Sequence, residues 1–163
     1  MLFRSGMNRR KFFTLFLAAP FFVALPAFAQ TSPPQSSPLQ SLPSRPLPLS
    51  VSVREVHERA KTGASVLVDI RTPEEWADTG VAEGAIRLDM TTPGFEIRLA
   101  GIRAENPGKP IDLICRTANR TRQVQDALTK RGWRDLVNVR GGMLGNPTDK
   151  GWLDEKLPVV AGR

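Results

Sequence analysis

A short run of almost wholly apolar residues most constrains the fold of this chain. Residues 66–70 read Val-Leu-Val-Asp-Ile and are rich in β-branched side chains. Such a run is typical of a strand that is covered on both faces, as strands are in parallel sheets. Helical patterns lie on either side of it, so the chain is predicted to form an α/β domain.

Five strands and four helices are predicted between residues 49 and 163. A hydroxyl residue followed three positions later by glutamate marks two helix starts, at Ser52 and Thr72, and glycines mark helix ends. We place the strands at 49–51, 66–70, 85–88, 111–114 and 136–139, and the helices at 53–62, 73–79, 95–103 and 121–131. This alternation predicts a central, mostly parallel five-stranded sheet flanked by helices on both faces.

Residues 1–29 are predicted to be a signal peptide. Basic residues and no acidic ones precede an apolar stretch at 12–29, which ends in Ala-Phe-Ala. A signal peptidase reads that small-x-small pattern, and the adjacent Arg9 and Arg10 also resemble a twin-arginine signal. The alternative is an uncleaved membrane anchor, although two prolines interrupt a stretch that is already short for a membrane span. We therefore expect export, to the bacterial periplasm.

Residues 30–48 are predicted to be a linker, because their Pro, Ser and Gln composition cannot bury a core. Residues 49–163 then suffice for one compact domain. Four of the 23 basic residues fall in residues 1–29, so removing that segment lowers the formal net charge from +7 to +3. No basic stripe with interleaved aromatic residues remains, and nucleic-acid binding is not expected.

The most informative chemical feature is a lone cysteine where a predicted strand ends. Cys115 follows the run at 111–114, and Arg116 and Arg120 follow it before a helical pattern begins. Helix N-termini favour anions, and nearby guanidinium groups bias a thiol toward thiolate. We therefore interpret Cys115 as a nucleophile in an electropositive, partly exposed loop. The plain alternative is a small hydrophobic residue of the core.

Other chemistries find little support in the sequence. A single cysteine forms no intramolecular disulfide, even in an oxidising compartment. His57 is the only histidine, and without a second histidine or cysteine near it no metal site is expected. Trp76, Trp133 and Trp152 are interpreted as aromatic residues of the core or its rim.

From about residue 49 to 158 the chain resembles the rhodanese-like sulfurtransferases, specifically an exported single-domain member. Residues 68–76, Val-Asp-Ile-Arg-Thr-Pro-Glu-Glu-Trp, resemble the family's N-terminal signature. Residues 115–121, Cys-Arg-Thr-Ala-Asn-Arg-Thr, resemble its active-site loop. Gly132-Trp133, followed by a strand and Gly141-Gly142, resembles its C-terminal stretch. Each piece alone is weak, and the three in this order and spacing are specific.

The resemblance implies that Cys115 takes a sulfane sulfur from a small anionic donor such as thiosulfate and holds it as a persulfide. The sulfur then passes to a thiophilic acceptor, either a small thiol or a protein thiol. No metal or organic cofactor is implied. The implied substrate-binding residues are the rest of the loop: Arg116, Thr117, Ala118, Asn119, Arg120 and Thr121. We interpret Asp69 and Arg71 as supporting residues that orient loops through hydrogen bonds and do not perform the chemistry.

The sequence departs from the family pattern in three places. Ala118 stands where the family usually has glycine, and a positive φ there would cost an alanine about 1–2 kcal/mol. A Gly-His-Ile stretch usual after the first signature is absent from residues 79–85. The aromatic residue often found after the glycine pair is replaced by Met143. These departures bear on donor specificity more than on the fold.

Two other functions remain as alternatives. Cysteine phosphatases and related arsenate reductases separate Cys from Arg by five residues, whereas four separate Cys115 from Arg120. The shorter loop favours sulfur over the bulkier phosphate. A non-catalytic module that binds sulfur or a partner is the second alternative, and the intact cysteine and arginines disfavour it.

Overall fold

A computed structural model describes residues 49–162, and within that range the chain forms seven strands and four helices. The strands are β1 (Ser50–Val51), β2 (Val66–Asp69), β3 (Val81–Ala82), β4 (Ile86–Arg87), β5 (Ile111–Ile114), β6 (Leu136–Val139) and β7 (Val159–Val160). The helices are α1 (Val53–Lys61), α2 (Pro73–Thr79), α3 (Phe95–Glu105) and α4 (Asn119–Lys130).

Five of the strands form one sheet in the order β1-β6-β5-β2-β4, and every pairing within it is parallel. β5 is central, since Leu113 pairs with Val68 on one side and with Asn138 on the other. The predicted α/β fold with a five-stranded, parallel sheet is therefore confirmed. The carboxyl ends of parallel strands meet at one edge, which is where open α/β sheets bind ligands.

One face of the sheet packs against α3 and α4. Val68 and Leu113 from the strands meet Leu99 of α3 and Val124 and Leu128 of α4 in a single apolar cluster. Because successive residues of a strand point to opposite faces, the residue two positions after Leu113 falls on the same side. That residue is Cys115, which belongs to this cluster.

The opposite face packs against α1 and the segment after β6. Leu67, Ile114 and Val137 meet Val56 of α1 and the fully buried Trp152. All three tryptophans are buried, as predicted, with 8% or less of their surface exposed. Helices therefore cover both faces, which explains why the strands are almost continuously apolar.

The helix starts form as their sequences predict. Ser52 accepts a hydrogen bond from the Glu55 amide at 3.3 Å, which begins α1. At α2 the capping box is complete, because the Thr72 hydroxyl accepts from the Glu75 amide and the Glu75 carboxylate accepts from the Thr72 amide. The second cap fixes the position of Glu75 beside the carboxyl end of β2.

A second, two-stranded sheet was not predicted. Val81 and Ala82 of β3 pair antiparallel with Val160 and Val159 of β7. Two-residue strands give too short a period to detect in sequence. α4 also begins at Asn119, two residues earlier than expected, because the loop turns into the helix directly after Ala118.

The predicted signal peptide and linker, residues 1–48, lie outside the described residues. No helix within residues 49–162 is long and apolar enough to cross a bilayer.

Candidate active site

β5 delivers Cys115 to the carboxyl edge of the sheet. Only 1% of the residue's surface is exposed, so the expectation of a partly exposed cysteine was wrong. Its Sγ lies 3.6 Å from the Thr121 hydroxyl oxygen, beneath the loop that joins β5 to α4. The fold therefore places the buried thiol against the first turn of α4.

The backbone of this loop is rich in unused donors. None of the six amides of residues 116–121 donates a hydrogen bond to another described residue, and the first intrahelical bond of α4 runs from Arg122 to Ala118. Ala118 caps the helix without a side-chain hydrogen bond. Free amides at a helix N-terminus attract anions. The loop that follows Cys115 is thus suited to hold an anionic group.

Ala118 adopts the left-handed conformation that its position in the loop suggested. Its φ is 75° and its ψ is −2°, and only 2% of its surface is exposed. An alanine there is strained by about 1–2 kcal/mol relative to the right-handed region. The loop keeps the geometry that glycine would adopt freely, at the cost of local strain.

Arg120 is bound to a carboxylate. Its two terminal nitrogens donate to the two Glu75 carboxylate oxygens at 2.7 and 2.6 Å, which joins the loop to α2. The hydrogen bond from Arg120 lowers the pKa of Glu75, although burial opposes that shift. In turn the bonded Glu75 raises the pKa of Arg120, burial opposes the rise, and the Cys115 side chain adds to it. Arg120 therefore lies beside the thiol as a fixed cation.

The remaining predicted loop residues differ in exposure. Arg116 and Asn119 are exposed, whereas Thr117 is half-buried and its carbonyl accepts a long hydrogen bond, 3.4 Å, from the Asn146 side chain. Thr121 is fully buried. The structure thus brings Arg120 and Thr121 to the sulfur, while Arg116 reaches into solvent from the rim.

The turn after β6 supports the loop from behind. The Met143 and Leu144 amides donate to the carbonyls of Cys115 and Arg116 at 2.8 and 2.9 Å. Gly142, at φ 62°, lies so close that a Cβ would stand 2.5 Å from the Cys115 carbonyl oxygen. Only glycine fits at position 142. The glycine pair noted in the sequence therefore lets the turn after β6 pack directly against the backbone of the cysteine loop.

Asp69 and Arg71 form a buried ion pair at the end of β2. Both Asp69 oxygens accept from Arg71, with 2.7 Å between Nη2 and Oδ2. The same guanidinium donates to the Glu75 and Gly80 carbonyls and to the Thr79 hydroxyl. The pair fixes α2, and through it Glu75, relative to the sheet.

Sequence reasoning missed three residues at this site. The sequence predicts a helix-capping role for Glu75 and a strand position for Asn138, but not their hydrogen bonds to Arg120 and Thr121. It also gives no sign of the close approach of Gly142 to Cys115. Asn138 gave a usable signal, because a lone amide within a buried strand needs a partner. His57 packs edge-on against Trp152, with 5.5 Å between ring centroids. No group of three or more potential metal ligands occurs within residues 49–162.

The sequence of this domain matches a known family. Residues 52–145, more than half of the chain, match the model of the rhodanese-like domain. The chain belongs to the rhodanese-like family. The match begins at the N-cap of α1 and ends just beyond the glycine pair, so the rhodanese-like domain includes the whole loop described above.

Two relatives and one solved structure illustrate the similarity. An uncharacterised protein of Rickettsia prowazekii is 31% identical over 98 residues, which is 56% of this chain and 80% of the relative. A sulfurtransferase of Allochromatium vinosum is 34% identical over 102 residues, 63% of this chain and 84% of the relative. The crystal structure of a rhodanese-related protein from Thermoplasma volcanium superposes with a TM-score of 0.54 at 23% identity, covering 69% and 97% of the two chains.

Proposed function

We propose that this rhodanese-like protein is a sulfurtransferase that uses Cys115 as its nucleophile. The sulfur comes from thiosulfate or another donor of sulfane sulfur and goes to a thiol or another thiophilic acceptor. The observation that carries the proposal is the loop itself: the Arg120 guanidinium and six amides that donate to no other described residue follow a single cysteine. A sulfurtransferase relative at 34% identity supports the same chemistry.

The first step loads the cysteine. The Cys115 thiolate attacks the outer sulfur of thiosulfate, a new S–S bond forms, and the original S–S bond breaks with its electron pair leaving on sulfite. The product is a cysteine persulfide with negative charge on the outer sulfur. Free loop amides are preorganised dipoles for that charge and need no reorganisation when it develops.

The second step transfers the outer sulfur of the Cys115 persulfide to an acceptor. A nucleophilic acceptor attacks the outer sulfur, and the S–S bond breaks with its electron pair returning to the Cys115 sulfur as thiolate. The acceptor leaves with one additional sulfur, and no electrons are gained or lost overall. Because the residue is buried, the outer sulfur of the persulfide must extend toward the loop before an acceptor can reach it.

The positive charge available to an anionic donor is smaller than Arg116 and Arg120 would supply if both were unpaired. Glu75 uses two of the five donor hydrogens of Arg120 and offsets its charge. Three donor hydrogens remain for a ligand, and Arg116 is unpaired among the described residues and exposed. This arrangement supports recognition of a small anion mainly by hydrogen bonds from the backbone and by Arg116 at the rim.

We also propose that the protein works outside the cytoplasm, in the bacterial periplasm. The proposal depends on the basic, apolar and small-x-small pattern of residues 1–29. A fusion of these residues to a reporter that is active only after export tests it, with the Arg9→Lys, Arg10→Lys pair separating twin-arginine export from general secretion.

The decisive experiment on function is intact mass measurement after incubation with thiosulfate. We expect a gain of one sulfur that maps to Cys115 and is removed by a reductant. Failure of thiosulfate and other sulfane donors to give any adduct would favour a binding module instead. Hydrolysis of aryl phosphates by the same preparation would point to phosphatase chemistry.

A further inference from the structure

A buried amide stands behind the cysteine loop. Asn138 lies in β6 between apolar neighbours and is 3% exposed. Burying an amide is unfavourable unless it finds a hydrogen-bond partner. Its Oδ1 accepts from the Thr121 hydroxyl at 2.5 Å. β6 therefore places one polar acceptor against the side chain that touches the Cys115 sulfur.

The Thr121 hydroxyl has three acceptors around it and one proton to give. Its oxygen lies 2.5 Å from Asn138 Oδ1, 3.0 Å from the Ala118 carbonyl oxygen and 3.6 Å from Cys115 Sγ. A hydroxyl donates one hydrogen and accepts through two lone pairs. Thr121 is 0% exposed, so solvent does not relieve this competition. The shortest contact gives the proton to Asn138.

We propose that Asn138 is a positioning residue for Cys115 and acts through the direction of the Thr121 hydroxyl proton. The inference rests on the proposed sulfur transfer through Cys115. While Thr121 donates to Asn138, it presents a lone pair to the sulfur. That orientation suits a thiol, which can donate its S–H, and does not suit a thiolate.

The competition changes through the reaction cycle. A thiolate on Cys115 attracts the Thr121 proton, and the hydroxyl must turn away from Asn138 to donate to it. In the persulfide the negative charge lies on the outer sulfur, so the inner sulfur is a weak acceptor and the hydroxyl returns to Asn138. The proton stays on Thr121 throughout. Asn138 thereby favours the loaded persulfide over the free thiolate.

A substitution at Asn138 leaves the other charges near the sulfur in place. Arg120 with its partner Glu75 approaches from the loop and α2, and Arg116 follows Cys115 in sequence. None of them bonds to Asn138. A change at Asn138 therefore reports on the hydroxyl and not on the ion pair.

The test is a double-mutant cycle between Asn138→Leu and Thr121→Val, each of which removes polarity at nearly constant shape. The first measurement is the rate of Cys115 alkylation by iodoacetamide from pH 5 to 9, which requires no sulfur donor. We expect Asn138→Leu to raise the rate at pH 6 about threefold or more, because the hydroxyl is then free to donate to the thiolate. In the Thr121→Val background the same substitution should change nothing.

The second measurement is the persulfide fraction at a fixed ratio of thiosulfate to sulfite, read from intact mass. We expect Asn138→Leu to lower that fraction about three- to tenfold relative to wild type. Gln125→Leu is the matched control. Gln125 of α4 is another buried amide that lines the same cavity as Asn138, and it donates to the Leu49 and Leu136 carbonyls and not to Thr121. It should leave both readouts unchanged.

Three results would overturn the inference: an unaltered alkylation profile in Asn138→Leu, an equal effect in the Thr121→Val background, or the same change in Gln125→Leu. Should Asn138→Leu fail to fold, Asn138→Ala serves instead, since Asn138 lines an open cavity of about 340 Å³ into which the site can relax. Absence of persulfide in the wild type would count against the proposed function, and the alkylation cycle would still decide the role of Asn138.

Discussion

Glu75 binds Arg120 through two parallel hydrogen bonds of 2.6 and 2.7 Å, and this pair ties α2 to the first turn of α4. Paired guanidinium and carboxylate groups hold fixed orientations better than single charges. Arg120 is therefore a positioned cation, and Glu75 uses two of its five donor hydrogens. In the proposed sulfur transfer, the orientation of the Arg120 guanidinium should matter to donor binding as much as its charge does.

The two members of this pair should affect donor binding in opposite directions. Arg120→Ala removes the cation and leaves Glu75 near the donor, so the KM for thiosulfate should rise about tenfold, equivalent to about 1.4 kcal/mol. Glu75→Gln removes a negative charge and keeps a hydrogen-bond acceptor, so KM should fall modestly. Steady-state kinetics check both. A rise of KM in both variants would mean that the pair serves only to hold the loop.

Cys115→Ser should abolish sulfur transfer with little effect on folding. The residue is buried beside Thr121, and a serine hydroxyl can bond to that neighbour, so the free energy of unfolding should change by no more than about 1 kcal/mol. Activity assays and urea denaturation measure the two effects. A loss of several kcal/mol with residual activity would identify a packing cysteine.

Ala118→Gly should stabilise the protein. Glycine adopts a φ of 75° without strain, but its greater entropy in the unfolded chain offsets part of that gain. The free energy of unfolding should therefore rise by about 0.5–1 kcal/mol. Lys156→Gly is the matched control, because Lys156 also has a positive φ, 54°, and lies outside the loop. Both should raise the free energy of unfolding, and only Ala118→Gly should alter transfer kinetics.

Gly142→Ala should damage both stability and activity. The new Cβ would lie 2.5 Å from the Cys115 carbonyl oxygen and 2.8 Å from Arg116 backbone atoms, so backbone must move, at about 2–4 kcal/mol. Gly101→Ala is the comparison. Gly101 lies in α3 with open space around it, and alanine there should stabilise by about 0.5–1 kcal/mol. In urea denaturation, the free energy of unfolding should therefore fall in Gly142→Ala and rise in Gly101→Ala.

Asp112 should make stability fall as pH rises. Burial raises the pKa of Asp112 from 3.8 to about 6, opposed by the nearby Ser65 hydroxyl and by Arg59, whose guanidinium is 3.2 Å away. The fold thus binds a proton that the unfolded chain releases. The stabilisation from the protonated carboxyl is complete below pH ~4, near the unfolded pKa, and is lost as pH rises through about 6.

Asp112→Asn mimics the protonated form and should remove this dependence. At pH 8 the variant should be more stable than wild type by up to about 3 kcal/mol, and at pH 4.5 the difference should shrink to about 1 kcal/mol. Denaturant unfolding at several pH values measures it. The exposed Asp126→Asn variant provides the surface control. An unchanged difference across the pH range would contradict the assignment.

The parallel sheet and the position of Cys115 were predictable because their signals are local. Apolar runs, capping residues and the turn glycines each specify their own segment. The partners of Glu75 and Asn138 were not predictable, since they lie 45 and 17 residues away. Burial of the cysteine was missed for a related reason: Arg120 is accommodated beside it through a carboxylate that only the folded chain supplies.

The outer strands β1 and β4 are two residues long, whereas the three inner strands have four residues each. An edge of that length spans about 7 Å. A long, flat edge would offer a template on which another copy could add a strand, and a short one does not. The short strands at both edges of the five-stranded sheet therefore disfavour the addition of a strand from another copy of the chain at those edges.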